Sequence, residues 1–176
     1  MASPIRRIVT GQDSSGRSNI TFDDAAGNIL PIAGFEGAFI TELWVTEDMP
    51  VDNRGDTDRG ARPIRHDPTP AGTIFRVVEI PPERGLAIDV DAAFQSMGSH
   101  NRPSDEDTGH HPTMHFTNSV DYLIVMSGEM AMRMEDGEIL LKQGDCIVQR
   151  GTKHAWINRG DVPCVIAAVL IDAKPI

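Results

Sequence analysis

The clearest pattern in the chain is a series of short apolar or alternating runs in its second half, cut at close intervals by turn residues. The runs are Met114 to Met126, Glu129 to Met134, Glu138 to Leu141, Cys146 to Gln149, His154 to Asn158 and Pro163 to Asp172. Between them stand Ser127-Gly128, Glu135-Asp136-Gly137, Gln143-Gly144-Asp145, Arg150-Gly151-Thr152 and Asn158-Arg159-Gly160-Asp161. Asp136-Gly137 is a strong hairpin signal, because glycine accepts a positive φ without steric cost. Met130, Met132 and Met134 alternate, so one face of their strand is expected to line the interior or an oligomer contact. Short strands at regular spacing predict an all-β domain, a small antiparallel barrel or sandwich.

The first half is more irregular. Ile5 to Val9, Gly37 to Thr46 and Thr73 to Ile80 are rich in β-branched and aromatic residues and predict strands. One short helix is expected over Asp89 to Met97. Glu47 to Ala71 is polar and carries Pro50, Pro63, Pro68 and Pro70, which predicts a mobile surface loop. A second polar loop, Gly98 to Pro112, contains His100, His110 and His111. No repeat relates the halves. The chain therefore reads as one domain over 1–176, with an N-terminal arm of extra strands and loops (1–97) and a motif-bearing core (98–176).

Composition narrows the function classes. Across 176 residues, 16 basic side chains face 26 acidic ones, a net charge of -10. That balance argues against nucleic acid and anionic membrane surfaces, which need clustered Lys and Arg. The longest apolar run, Cys164 to Ile171, falls far short of the roughly 20 residues of a spanning helix. The start of the chain lacks the apolar core of a signal peptide, and two cysteines do not make a disulfide framework. A cytoplasmic protein with two buried, reduced thiols, Cys146 and Cys164, is expected.

Strand parity then selects candidate chemistry. His115, Thr117, Asp121, Leu123 and Val125 share one face of a regular strand, and His154, Trp156 and Asn158 share a face of a later one. If both faces point inward, two imidazoles and a carboxylate converge, which is a facial triad for a first-row metal.

The segment His115 to Asn158 resembles the cupin superfamily, whose members are jelly-roll β-barrels. The first cupin motif has the form G-x5-H-x-H-x(3,4)-E-x6-G. Here His115, Thr117 and Asp121 are followed after six residues by Gly128. The second has the form G-x5-P-x-G-x2-H-x3-N. Here Gly144 leads to Arg150, Gly151, His154 and Asn158, with Arg150 in place of proline and one residue fewer before Gly151. Thr117 stands where the family has its second histidine, and Asp121 where it has glutamate. The resemblance implies a cupin-type jelly-roll barrel with an N-terminal extension. It implies His115, Asp121 and His154 as catalytic residues and as ligands of one divalent transition metal (Fe, Mn, Ni or Zn), or a site with no metal. Thr117, Trp156 and Arg150 become the substrate-binding candidates.

Alternatives remain at each position. Asp121 can be a structural carboxylate bonded to Thr117 or loop amides. His154 can work in a metal-free pocket. His110 and His111 can add ligands or stay solvated. Trp156 can be core or rim packing, and Arg150 an exposed turn charge. The expected function is lyase or isomerase chemistry on a small carbonyl or carboxylate substrate. The alternatives are a non-catalytic small-molecule-binding cupin and a metal-dependent dioxygenase. A homodimer is expected, with the Gly37–Thr46 strand as a contact or as part of the sheet, and Tyr122 turned outward.

Overall fold

In the computed structural model, which describes every residue except His100 and Arg102, the chain is mostly β. The strands pair into sheets of six, three and two. The first pair is β1 (Arg6–Gln12) and β2 (Ser18–Ala25), an antiparallel ribbon. Next come β3 (Ile29–Pro31), β4 (Phe39–Thr46) and β5 (Thr73–Ile80), then helices α1 (Val90–Ser96) and α2 (Asp105–Thr108). The C-terminal part adds β6 (Ser119–Ser127), β7 (Glu129–Arg133), β8 (Glu138–Lys142), β9 (Cys146–Arg150), β10 (Ala155–Ile157) and β11 (Cys164–Asp172).

The six-stranded sheet runs β3-β4-β5-β11-β6-β9, and the three-stranded sheet runs β10-β7-β8. The expected all-β architecture is present, built from two sheets packed over a shared core and not from one continuous ring of hydrogen bonds. Ile74, Val125 and Ile166 from the large sheet meet Met130, Met132 and Leu141 from the small one. Inward and outward residues alternate cleanly along β6. Ser119, Asp121, Leu123 and Val125 are buried, while Tyr122, Ile124 and Met126 are exposed. The methionine stripe behaves as expected: Met130 and Met132 are core residues and Met134 packs against them.

The Gly37–Thr46 strand completes the sheet between β3 and β5. The expected helix is α1, capped by the Asp89 carboxylate, which accepts from Ala92 N at 3.1 Å. β2 and β3 give no signal in the sequence, because β2 is polar and largely exposed and β3 is three residues long. Helix α2 interrupts the second loop. Its Ser104–Asp107 capping box holds a four-residue turn too short for periodicity to reveal. His100, singled out in that loop, lies outside the described residues.

Two expectations are corrected. Cys164 is buried, but Cys146 is exposed, because it takes an outward position on β9 opposite the outward Ile124. The 47–71 segment is not a loose surface loop throughout. Its end folds inward and buries His66 at 8% exposure. The guanidinium of Arg7, also buried, ties the loop's Asp58 and β2's Asp24 to the strand below through Leu43 O. Among the described residues, no helix is long and apolar enough to cross a membrane.

Candidate functional site

A single antiparallel bridge positions the two motif histidines. His115 N donates to His154 O and His154 N donates to His115 O, both at 2.9 Å. His115 leads into the large sheet through β6, and His154 leads into the small sheet through β10. The bridge therefore clamps the two sheets together where both imidazoles stand. Directly opposed residues of an antiparallel pair carry their side chains on the same face, and the two ring centroids are 4.6 Å apart. Gly151 makes this approach feasible: its φ is +62°, and a Cβ there would stand 3.0 Å from Thr117 O.

Both imidazoles line a cavity of about 140 Å³. Its apolar wall includes Ile40, Val78, Leu123, Ile166 and Leu170 from the large sheet, with Ala93 and Phe94 from α1. Its polar side includes His115, His154, Thr117 and Asp121, and two residues that motif spacing did not point to, His66 and Arg76. A ring-to-ring series runs along this side. Phe94 lies 5.6 Å from His66 and 5.5 Å from His115, His66 lies 5.0 Å from His115, and His154 lies 5.2 Å from Trp156.

Hydrogen bonds fix how each ring is held. His115 Nδ1 donates to Thr113 O at 2.8 Å, and His154 Nδ1 donates to Thr152 O at 2.9 Å. Gln149 Nε2 is also 3.1 Å from His154 Nδ1, but its two hydrogens go to Thr152 O and Thr152 Oγ1. Both rings therefore carry the proton on Nδ1, and Nε2 keeps its lone pair. Nε2 of each has no hydrogen-bond partner among the described residues. Burial, with His154 and His66 nearby, holds His115 well below the usual imidazole range. Burial pushes His154 down to about 4, against the opposing bond to Thr152. Both rings are neutral at physiological pH.

Asp121 is shifted the other way. Burial pushes its carboxyl up to about 6, opposed by a hydrogen bond from Ser119 and by His66 and Arg76, and reinforced by Asp67. Ser119 Oγ donates to Asp121 Oδ1 at 2.6 Å and lies 2.7 Å from Thr117 Oγ1. Ser119 has one hydroxyl hydrogen, so Thr117 donates to Ser119 and Ser119 to Asp121. The alternative of a direct Thr117–Asp121 bond is corrected: Ser119 stands between the two side chains and bonds both.

Arg76 is buried beside the cavity and held by an ion pair and two backbone carbonyls. It pairs with Glu42 at 3.0 Å, the two side chains being 4% and 1% exposed, and donates to Arg65 O and His66 O. These carbonyl contacts hold the end of the 47–71 loop over the cavity. His66 Nδ1 is 3.0 Å from Ser99 Oγ and 3.3 Å from Asp67 Oδ1.

Of the residues singled out by sequence, His115, Thr117, Asp121, His154 and Trp156 meet around this cavity. Arg150 does not. It is the exposed last residue of β9, next to the inward Gln149. Asn158 bonds the carbonyls of Ile80 and Val162 and serves the turn that follows it. His111 is engaged by Thr113 and Glu83, and His110 is exposed. His66 was not legible: it sits in a polar, proline-rich loop with no pattern linking it to the motifs.

The described donors are not gathered around one point as a cation site requires. Among the described residues, no group of three or more His, Cys, Asp or Glu side chains stands close enough to share an ion. Thr117 offers a hydroxyl at the motif position of the second histidine, the third imidazole at the cavity, His66, comes from the loop, and Asp121 Oδ1 is engaged by Ser119.

The site is thus an apolar cavity with inward histidines between the sheets of an all-β fold. Residues 104–171 match the family model of the cupin domain, which makes this segment a cupin domain. Among relatives, phomopsin biosynthesis cluster protein C' of Diaporthe leptostromiformis is 28% identical, over 97% of this chain and 79% of that one. The cupin-domain-containing oxidoreductase virC of Hypocrea virens is also 28% identical, over 97% and 77%. Oryzines biosynthesis cluster protein J of Aspergillus oryzae reaches 41%, over 39% of each chain. Among solved structures, a cupin 2 conserved barrel domain protein from Salinispora arenicola is 16% identical over 82% of each chain, with a TM-score of 0.42.

Proposed function

We propose that this cupin-domain protein is a lyase or isomerase that moves a proton on a small, neutral, largely apolar carbonyl compound. The observation that carries the reading is the cavity's polar side: two neutral imidazoles with tied Nδ1 atoms beside a buried carboxyl that titrates near 6. An effective acid or base works near its operating pH. Asp121, and not an imidazole, therefore carries the proton. With their hydrogens on Nδ1, His115 and His154 present Nε2 lone pairs that accept from a hydroxyl, such as that of the enol form, while the apolar wall excludes water. A neutral substrate is supported by the described lining, in which Glu42 neutralises Arg76, with Arg150 elsewhere. A carboxylate would have no cationic partner among the described residues. The volume suits a molecule about the size of one six-membered ring.

Cyclohex-3-en-1-one tests this. Its conversion to the conjugated enone, read by ultraviolet absorbance and by deuterium incorporation in D₂O, is expected to run faster with protein than in buffer. Asp121→Asn is expected to remove the acceleration. A rate equal to buffer, or one undiminished in Asp121→Asn, overturns the reading.

Oxidoreduction is a second reading. Two relatives named as cupin-domain-containing oxidoreductases span 97% and 99% of this chain at 28% and 27% identity. Substrate-dependent oxygen consumption in the same assay would favour it over proton transfer.

A further inference from the structure

The side chains around the cavity's polar end have an unusual bias: most of their hydrogens are already committed. His115 and His154 give their Nδ1 hydrogens to backbone carbonyls. The Thr117 and Ser119 hydroxyls form a relay that ends on Asp121. Thr113 Oγ1 is 2.9 Å from His111 Nδ1, and His111 Nε2 faces the Glu83 carboxylate at 3.2 Å, so Thr113 donates to His111. Arg76 bonds Glu42 and two loop carbonyls. What remains for a bound molecule is mainly a set of acceptors: Nε2 of His115, Nε2 of His154 and the second carboxylate oxygen of Asp121. Among the described lining side chains, the Trp156 indole N–H, the second Arg76 Nη1 hydrogen and a His66 ring nitrogen, whose tautomer the Ser99 contact leaves open, are the donors left over.

A second, independent feature is the ring series Phe94–His66–His115–His154–Trp156, with successive centroids between 4.6 and 5.6 Å. It offers faces and edges to a flat molecule along the same wall that carries the acceptors. Planar π-systems gain in such offset and edge contacts beyond what their area gives.

We infer that the cavity selects a flat, unsaturated ring bearing at least one hydroxyl group, a phenol or a ring enol, which donates its O–H to the imidazole acceptors. The inference rests on the reading above that this cavity is the functional site, and it gives the substrate class. Removal of a proton next to a ring carbonyl by Asp121 and its return to the carbonyl oxygen gives an enol, so the hydroxyl these acceptors recognise is one that the proposed chemistry forms. An anion is rejected, because bringing a carboxylate against Asp121 and two lone pairs is unfavourable. An ether analogue loses its hydrogen bond and leaves an imidazole acceptor unpaired.

The test is a binding series on the intact chain, by calorimetry and thermal shift, with phenol and resorcinol against anisole, cyclohexanol and benzoate. Phenol or resorcinol is expected to bind at least about tenfold more tightly than anisole, the worth of one hydrogen bond. It should also bind more tightly than cyclohexanol, which is not flat, with benzoate not binding. His154→Gln and Phe94→Leu are each expected to weaken phenol. The wild-type series decides the matter even if either variant fails to fold. Equal affinity for phenol and anisole, preference for benzoate, or no binding by either phenol overturns the inference. Phenol binding without turnover of the cyclohexenone leaves the inference standing and removes the proposed reaction. Turnover with no preference for O–H does the reverse.

Discussion

The cavity has two ends that are held in different ways. At one, His115 and His154 are placed by a reciprocal backbone bridge, and each ring is set by a carbonyl two residues before it. At the other, His66 arrives on a long proline-rich loop and is held by charges: Arg76 on Glu42 and the loop carbonyls, and Arg7 on Asp24 and Asp58. Backbone ladders tolerate side-chain replacement, because the bonding atoms remain. A buried charge does not, because removing one partner strands the other. The two ends should therefore fail differently when mutated.

Arg76→Ala should give the largest effect. Glu42 is 1% exposed and would be left without its counter-charge, and the loop would lose its two carbonyl anchors. A loss of about 3–5 kcal/mol is expected, read from denaturant unfolding. Glu42→Gln with Arg76→Met, which removes both charges and keeps the volume, should recover most of it. If Arg76→Ala costs under about 1 kcal/mol, charge does not hold this end of the cavity.

Asp121→Asn should act in the opposite direction. Asp121 is pushed up from 3.8 to about 6, so the folded state binds its proton more tightly than the unfolded state does. Its ionisation therefore costs stability. The cost is absent below about pH 4, grows as pH rises through 6, and levels off above it. The groups facing the carboxyl are Ser119, His66, Arg76 and Asp67, and burial outweighs the lowering by Ser119, His66 and Arg76. Asparagine keeps an acceptor for Ser119 and removes the charge. The variant should be more stable than the wild type by about 2–3 kcal/mol at pH 7.5, with the gain shrinking toward pH 4. A gain independent of pH would show that Asp121 is not the strained group. Higher stability with lost activity is what a functional carboxyl held in an unfavourable place should show.

These two residues also mark how far the sequence could be read. Asp121 and the motif end were legible because strand parity is a local property. A residue's face follows from counting by twos, and β6 obeys the count from Ser119 to Val125. The strands from β4 to β11 follow from apolar runs and turn residues, except that β6 begins at Ser119 and not at Met114, so His115 stands in an isolated bridge and Thr117 before the strand, and not on the regular strand expected for them. His66 and Arg76 were not legible as a site, because their place depends on the path of a loop without periodicity and on a pairing between Glu42 and Arg76, 34 residues apart. The direction of proton traffic was also hidden. Burial inverts the ordinary order of imidazole and carboxylate, and burial belongs to the packed molecule.

Arg7→Ala should weaken the loop end less than Arg76→Ala. The Arg7 side chain is 7% exposed, but its partners Asp24 and Asp58 are 43% and 28% exposed and can rehydrate when it is removed. A loss of about 2 kcal/mol is expected from its charged hydrogen bonds. It should be accompanied by faster proteolysis within residues 52–62 and little change at the His115–His154 bridge. Equal destabilisation in Arg7→Ala and Arg76→Ala would mean that solvent access to the partner does not set the cost.

Arg150→Ala should change least, and it tests the boundary of the site. Arg150 occupies a motif position, which made it a candidate for holding substrate. In the fold it ends β9 with an exposed side chain, while its neighbour Gln149 turns inward and bonds Thr152 beneath His154. A one-residue step along a strand moves a side chain to the opposite face, so Arg150 cannot share the cavity that Gln149 supports. Stability should change by less than about 0.5 kcal/mol, and phenol affinity should be unchanged in calorimetry. Gln149→Leu, one position away, should weaken phenol binding by loosening the Thr152 carbonyl that fixes the His154 tautomer. If Arg150→Ala impairs binding as much as Gln149→Leu, the site extends around the edge of β9.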